Sequence, residues 1–201
     1  LYSPQAMKII GITGGIGSGK SVVCKIFEQL KIPVYEADSA AKLLYNKYPE
    51  LKQSVRELVS EDAIDKNGNI NRKKLAEIVF NDEEKLEILN KLVHPLVKRD
   101  FENWVESHKS YPYVLKEAAI LFESGANKQC DLVIAVISPL ELRIERIRQR
   151  DKKSKAEIEK IIASQLSDEE LIKRSDFVIY NDEVQMVVPQ VLKIHGEIMS
   201  K

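Results

Sequence analysis

Cysteine is scarce in this chain: two in 201 residues, Cys24 and Cys130. They lie far apart and lack metal-ligand spacing, which excludes a disulfide scaffold and a cysteine-built metal centre. Both read as buried free thiols, which suits a reducing compartment and hence a cytoplasmic protein. His94, His108 and His195 are scattered and form no metal-binding pattern. No apolar run approaches the length of a bilayer span, and no signal-peptide pattern is present, so no membrane role is expected. An excess of charge is missing too, since 31 Lys and Arg balance 31 Asp and Glu. Zero net charge argues against a broad nucleic-acid- or membrane-binding field and leaves the oligomeric state open. An anionic ligand must then be held by a few locally placed cations. Repeats and low-complexity segments are absent. What remains, 44% hydrophobic and 31% charged, has the composition of a soluble globular α/β domain. Residues 1–6 precede Met7, the residue suited to initiate the native chain, and are set aside as a remnant.

Against this background one stretch stands out. Gly14-Gly15-Ile16-Gly17-Ser18-Gly19-Lys20-Ser21 fits G-x-x-x-x-G-K-[ST], a phosphate-binding loop. The β-branched run before it suits a buried parallel strand, and Val22, Val23, Ile26, Phe27 and Leu30 after it have helical spacing. Glycines let backbone amides approach phosphate oxygens, and the helix N-terminus adds partial positive charge. In that setting Gly15, Ile16, Gly17, Ser18 and Gly19 form the cradle for ATP. Lys20 reaches the β- and γ-phosphates, and the Ser21 hydroxyl ligates Mg²⁺.

Residues 31–36 read as a second strand ending at Ala37-Asp38. Asp38 suits two roles equally: an N-cap for the next helix, or a carboxylate at the ligand crevice of an α/β sheet. Residues 40–109 are helical and charged. Their apolar stripes are Leu51, Val55, Leu58 and Val59, then Leu75, Ile78 and Val79, then Leu86, Leu89, Leu92 and Val93. A turn is expected at residues 66–69, and a kink or a fresh helix start at Pro95. A third strand reaches Glu117, either an outer-shell partner for Mg²⁺ or a surface carboxylate. Residues 131–137 form a strand buried on both faces, and residues 176–180 a fifth.

Ser138-Pro139-Leu140-Glu141 has the form of a capping box. In the helix it opens, Arg143, Arg146 and Arg150 share one face, opposite Leu140, Ile144 and Ile147. A break at residues 151–154 and a second helix make a basic pair suited to a mobile lid over a transferring phosphoryl group. The bland alternative is a solvated basic face paired with Glu141 and Glu145. A last helix, with Val184, Val187, Val188, Val191, Leu192 and Ile194, adds core. Together the elements predict a five-stranded parallel sheet with helices on both faces, a phosphate-loop kinase. The expected single domain, 7–201, has a nucleotide core at 7–39, 110–142 and 166–201, a helical acceptor-binding insertion at 40–109 and a lid at 143–165.

The chain resembles the dephospho-coenzyme A kinase family from Met7 to about Asp182. The likeness rests on residues 12–21, Val34-Tyr35-Glu36-Ala37-Asp38, His94-Pro95, Leu121-Phe122-Glu123, residues 146–151, Gln165 and Val178-Ile179-Tyr180-Asn181. The resemblance implies ATP-dependent phosphorylation of the ribose 3′-hydroxyl of dephospho-coenzyme A. It implies Asp38 as general base, Arg146 and Arg150 as lid arginines, and Asn181 near the adenine. Two positions depart from the family's pattern. Glu36 stands where an aspartate is frequent, and Ala119 where a proline is. His94 has no derivable mechanism and is expected to make a structural bond. A kinase for another small molecule or a nucleoside monophosphate is the alternative. A nucleotide switch that binds partners and barely turns over is a third reading, and against it stands the lack of an Asn-Lys-x-Asp guanine-specificity element.

Overall fold

A computed structural model describes residues 7–151 and 154–200. Residues 1–6 and the basic turn expected at Lys152-Lys153 lie outside them. Two compact units emerge: one formed by the chain up to Glu36 together with Ser107 onward, the other by Ala37–Glu106.

The first unit is built on a five-stranded sheet in the order β2-β3-β1-β4-β5, with every pair parallel. Its strands are β1 (Lys8–Thr13), β2 (Val34–Glu36), β3 (Tyr113–Glu117), β4 (Leu132–Ile137) and β5 (Phe177–Tyr180). Alternation along β1 and β4 assigns the two faces. Ile10, Ile12, Ile134 and Val136 pack with Val23 and Phe27 of α1 (Lys20–Gln29) and with Val191, Ile194 and Ile198 of α9 (Val187–Ser200). On the other face Ala135 and Ile137 meet Leu171 of α8 (Asp168–Arg174). Helices thus cover both faces, as expected. From β1 the chain builds β2 and β3 on one side, then crosses to β4 and β5 on the other. This reversal opens the ligand crevice at the C-terminal end of β1.

β2 is shorter than its apolar run. Lys31 takes φ 63° and the Ile32 amide still donates to Phe27 O at 3.0 Å, closing α1. Extended backbone therefore begins only at Val34. In α9 the core residues are Val191, Ile194 and Ile198, whereas Val188 and Leu192 are exposed, and Val184 lies exposed before the helix begins.

The second unit is helical: α2 (Ala37–Lys47), α3 (Pro49–Leu58), α4 (Arg72–Phe80) and α5 (Glu83–Ser107). Its core gathers Leu44, Leu51, Val55, Val59, Leu75, Val79 and Val93, while Leu58 of the expected stripe is exposed. The turn at 66–69 forms around Asp65, whose carboxylate accepts from the Asn67 and Asn69 amides at 2.8 and 2.9 Å. Pro95 starts no new helix; α5 runs through it. One missing amide bond is tolerated in the middle of a long helix.

Candidate active site

β1 hands over to α1 through the glycine loop. Gly17 and Gly19 take φ of 80° and 95°, in the left-handed region, a conformation closed to most side chains. The Ser18 amide closes a turn on Gly15 O at 3.1 Å. The Val22 amide is spent on Gly19 O at 3.0 Å, whereas the Gly17 and Gly19 amides have no partner among the described residues. The Thr13 and Ser18 hydroxyls are buried and unbonded. Such a cradle of unspent donors suits phosphate oxygens.

Lys20 Nζ donates to Gly14 O at 2.8 Å and lies 3.9 Å from Glu117 Oε1. The ammonium group thus stays at the loop, beside the end of β3. Glu36 is the register partner of Glu117, so two carboxylates end neighbouring strands. Burial, and then Glu117, Glu36 and Glu28, push the Cys24 thiol far up and leave it inert. Cys130 is half-buried rather than buried, and burial raises its thiol to about 11.

α6 (Leu140–Asp151) runs from the end of β4 past the loop. Its expected capping box does not form. The helix starts at Leu140, and Ser138 Oγ instead accepts from Arg146 Nη1 at 3.0 Å. Arg146 also donates to Asn181 O at 3.4 Å and pairs with Glu183 at 3.1 Å. Asn181 Nδ2 in turn donates to Ser18 O at 2.9 Å. Lys20, Ser21, Arg146 and Asn181 therefore belong to one arrangement at the loop. Arg150 forms a two-bond pair with its neighbour Asp151 at 2.7 and 2.8 Å. The second capping box does form: Ser154 opens α7 (Lys155–Ala163), bonded reciprocally with Glu157.

The arginine triad splits. Arg143 is buried, 5% exposed, together with Ile147, while Leu140 of the expected apolar stripe is exposed. Arg143 Nε donates to Ile16 O at 3.0 Å, and Nη1 pairs with Asp168 at 3.1 Å. Burial raises the Asp168 carboxyl, with Arg143 opposing. From the residue after Ser164, the C-cap of α7, Gln165 Oε1 accepts the Ile16 amide at 2.8 Å. Sequence reasoning missed these two contacts. The available signal was Gly15, a glycine at a position the motif leaves free.

Asp38 lies in the other unit, exposed, in the first turn of α2. It is a helical residue rather than the N-cap, so the capping alternative falls. His94 is half-buried in α5 without a hydrogen bond among the described residues, and not in the structural bond expected of it. No group of three or more metal-binding side chains occurs among the described residues, nor any helix long and apolar enough to cross a membrane.

A family model described as dephospho-CoA kinase matches residues 8–186. A dephospho-CoA kinase of Fusobacterium nucleatum is 44% identical over 178 residues, 89% of this chain and 91% of that protein. Among solved structures, TT1252 from Thermus thermophilus superposes with a TM-score of 0.83 at 34% identity, covering 96% of this chain and 98% of its own. A dephospho-CoA kinase from Campylobacter jejuni does so with a TM-score of 0.68 at 29% identity, covering 96% and 97%.

Proposed function

The chain belongs to the dephospho-CoA kinase family, and we propose that it transfers the γ-phosphoryl group of ATP to the ribose 3′-hydroxyl of dephospho-coenzyme A, giving coenzyme A and ADP. The observation that carries this reading is the glycine cradle at the end of β1, with Lys20 and Glu117 beside it.

Loop amides and Lys20 hold the β- and γ-phosphates and so position the transferring group. Arg146 exchanges Glu183 for the γ-phosphoryl, where charge spreads during transfer. Arg150 supports the nucleotide from the same helix, and Asn181 keeps the β5 end against the loop near the adenine. Asp38, two residues beyond β2, orients the 3′-hydroxyl and accepts its proton as the new P–O bond forms and ADP departs. Residues 40–109 hold the acceptor, and residues 143–165 close over the site to exclude water, which would otherwise take the phosphoryl group.

Ser21 offers an exposed hydroxyl in the first turn of α1 and Glu117 a carboxylate near Lys20, an oxygen donor set suited to Mg²⁺. Ser21 would hold the ion directly and Glu117 from the outer shell. An ion held by these residues would supply positive charge to offset the negative charge of the phosphates. Two free thiols and an ATP substrate support a cytoplasmic setting.

The test is ADP release from ATP and Mg²⁺ against dephospho-coenzyme A, adenosine monophosphate, other nucleoside monophosphates, gluconate and shikimate. Turnover of about 1–100 s⁻¹ with dephospho-coenzyme A and little with the rest is expected. Equal turnover with a nucleoside monophosphate would move the chain to the alternative acceptor class. In the same assay Asp38→Asn is expected to abolish transfer while ATP still binds. Near-normal turnover would remove Asp38 from the base role.

A further inference from the structure

We propose that Arg143 and Gln165 are positioning residues that set the phosphate loop by clamping both peptide groups of Ile16, so that the Gly17 amide is aimed at the nucleotide's phosphates. The inference rests on the loop being the ATP site.

A loop with glycine at four of its first six positions gains little order from its own side chains. Ile16 is held from outside at each end. Gln165 Oε1 takes its N–H at 2.8 Å, and Arg143 Nε donates to its carbonyl at 3.0 Å. In a planar trans peptide the carbonyl of one residue and the amide of the next point in opposite directions. Drawing the Ile16 carbonyl toward Arg143 therefore turns the Gly17 N–H the other way. With the Ile16 amide spent on Gln165, the orientation of the neighbouring peptide is fixed as well.

The clamp is anchored beyond the loop. Arg143 pairs with Asp168, Gln165 Nε2 reaches Ala119 O at 3.4 Å, and the Leu166 amide donates to Glu123 at 3.0 Å. Both ends of the α6–α7 segment thus meet the loop at one residue. This arrangement also accounts for Gly15. A Cβ there would stand 1.9 Å from Arg143 Nη2, while the Gly15 backbone is not in the positive-φ region. The glycine is required by the guanidinium group and not by its dihedral angles.

Glycine-selective ¹⁵N labelling tests this, because the chain has only eight glycines. In the wild type, ADP with Mg²⁺ is expected to shift the Gly17 and Gly19 amide resonances. In Arg143→Lys, which keeps the charge facing Asp168 but loses the fork, and in Gln165→Met, the Gly17 shift should shrink. ADP affinity should fall about tenfold, the equivalent of one hydrogen bond, and KM for ATP should rise while KM for the acceptor holds. Gly15→Ala should reproduce this by displacing Arg143. If Arg143→Lys folds poorly, the other two variants carry the test. ADP affinity within twofold of wild type in folded Gln165→Met and Gly15→Ala, with the Gly17 shift intact, would overturn the clamp. Failure of the wild type to bind ADP would instead overturn the reading of the loop as a nucleotide site.

Discussion

Gly19 is the residue at which backbone and tertiary demands coincide. Its φ of 95° strains any side chain, and a Cβ would lie 2.1 Å from Asn181 Nδ2. Gly19→Ala must therefore accept left-handed strain and push away the amide that caps Ser18 O. Together these cost about 2 kcal/mol, or about 4–8 °C in Tm for a chain of this length. Asn181→Ala relieves the clash, so the double variant should be more stable than the two single losses summed; strict additivity would separate the two sites. His94 provides a pH-dependent counterpart. Burial holds its imidazole below the ordinary 6.5, so the unfolded chain takes up a proton before the folded one does. Its contribution is complete above pH 6.5 and is lost as pH falls through the window beneath, levelling off below the depressed value. The urea midpoint of His94→Gln should vary less with pH across that window than the wild type's. An unchanged slope would assign the dependence to another group.

At the scale of elements, the strand starts are closed by a repeated device. Asp131 donates its amide to Ile9 O and takes the Ile9 amide on its carboxylate, both at 2.7 Å. Asp176 does the same with Val133, at 2.9 and 2.8 Å. Asp131→Ala hands a strand-end amide at an exposed position to water and should cost about 0.5–1.5 kcal/mol, read as a lower urea midpoint. Asp131→Asn keeps an acceptor and should lose less than half of that. In α5, Pro95→Ala restores a missing helical bond, and Tm is expected to rise, since interior proline costs up to about 3 kcal/mol. Much of this was legible in sequence. β1, the loop and α1 are each set by short-range constraints, namely β-branched residues, glycines and helical spacing, and they form as read. The errors occur where distant groups compete for a local signal. Ser138 has the pattern of a cap, but its hydroxyl is taken by Arg146. Arg143 has the spacing of an open basic face, but it is drawn onto a loop carbonyl 127 residues away in the chain. No local period encodes such a contact, and only the unrequired glycine at position 15 hinted at it.

The whole molecule divides its chain unequally between local and distant contacts. The sheet unit needs β1 to pair with β3 and β4 across the entire helical unit. The helical unit is closed by neighbours in sequence, and loop-closure entropy penalises only the former. The units are joined by the chain at 36–37 and 106–107, so their openings need not be one event. A nucleotide bound at the loop stabilises the unit that contains it by RT ln(1 + [L]/Kd), about 2.7 kcal/mol at a hundredfold excess over Kd. Native-state hydrogen exchange can resolve where that energy goes. With ADP and Mg²⁺ at this excess, the slowest amides of β1, β3 and β4 should exchange about a hundredfold more slowly, the same energy expressed as a rate. The amides of Leu51, Val55 and Leu75, in the helical core, should keep their rates until the acceptor is added. Equal slowing of both sets by nucleotide alone would mean that the two units open as one cooperative body. The helical core would then owe its stability to the sheet rather than to its own apolar cluster.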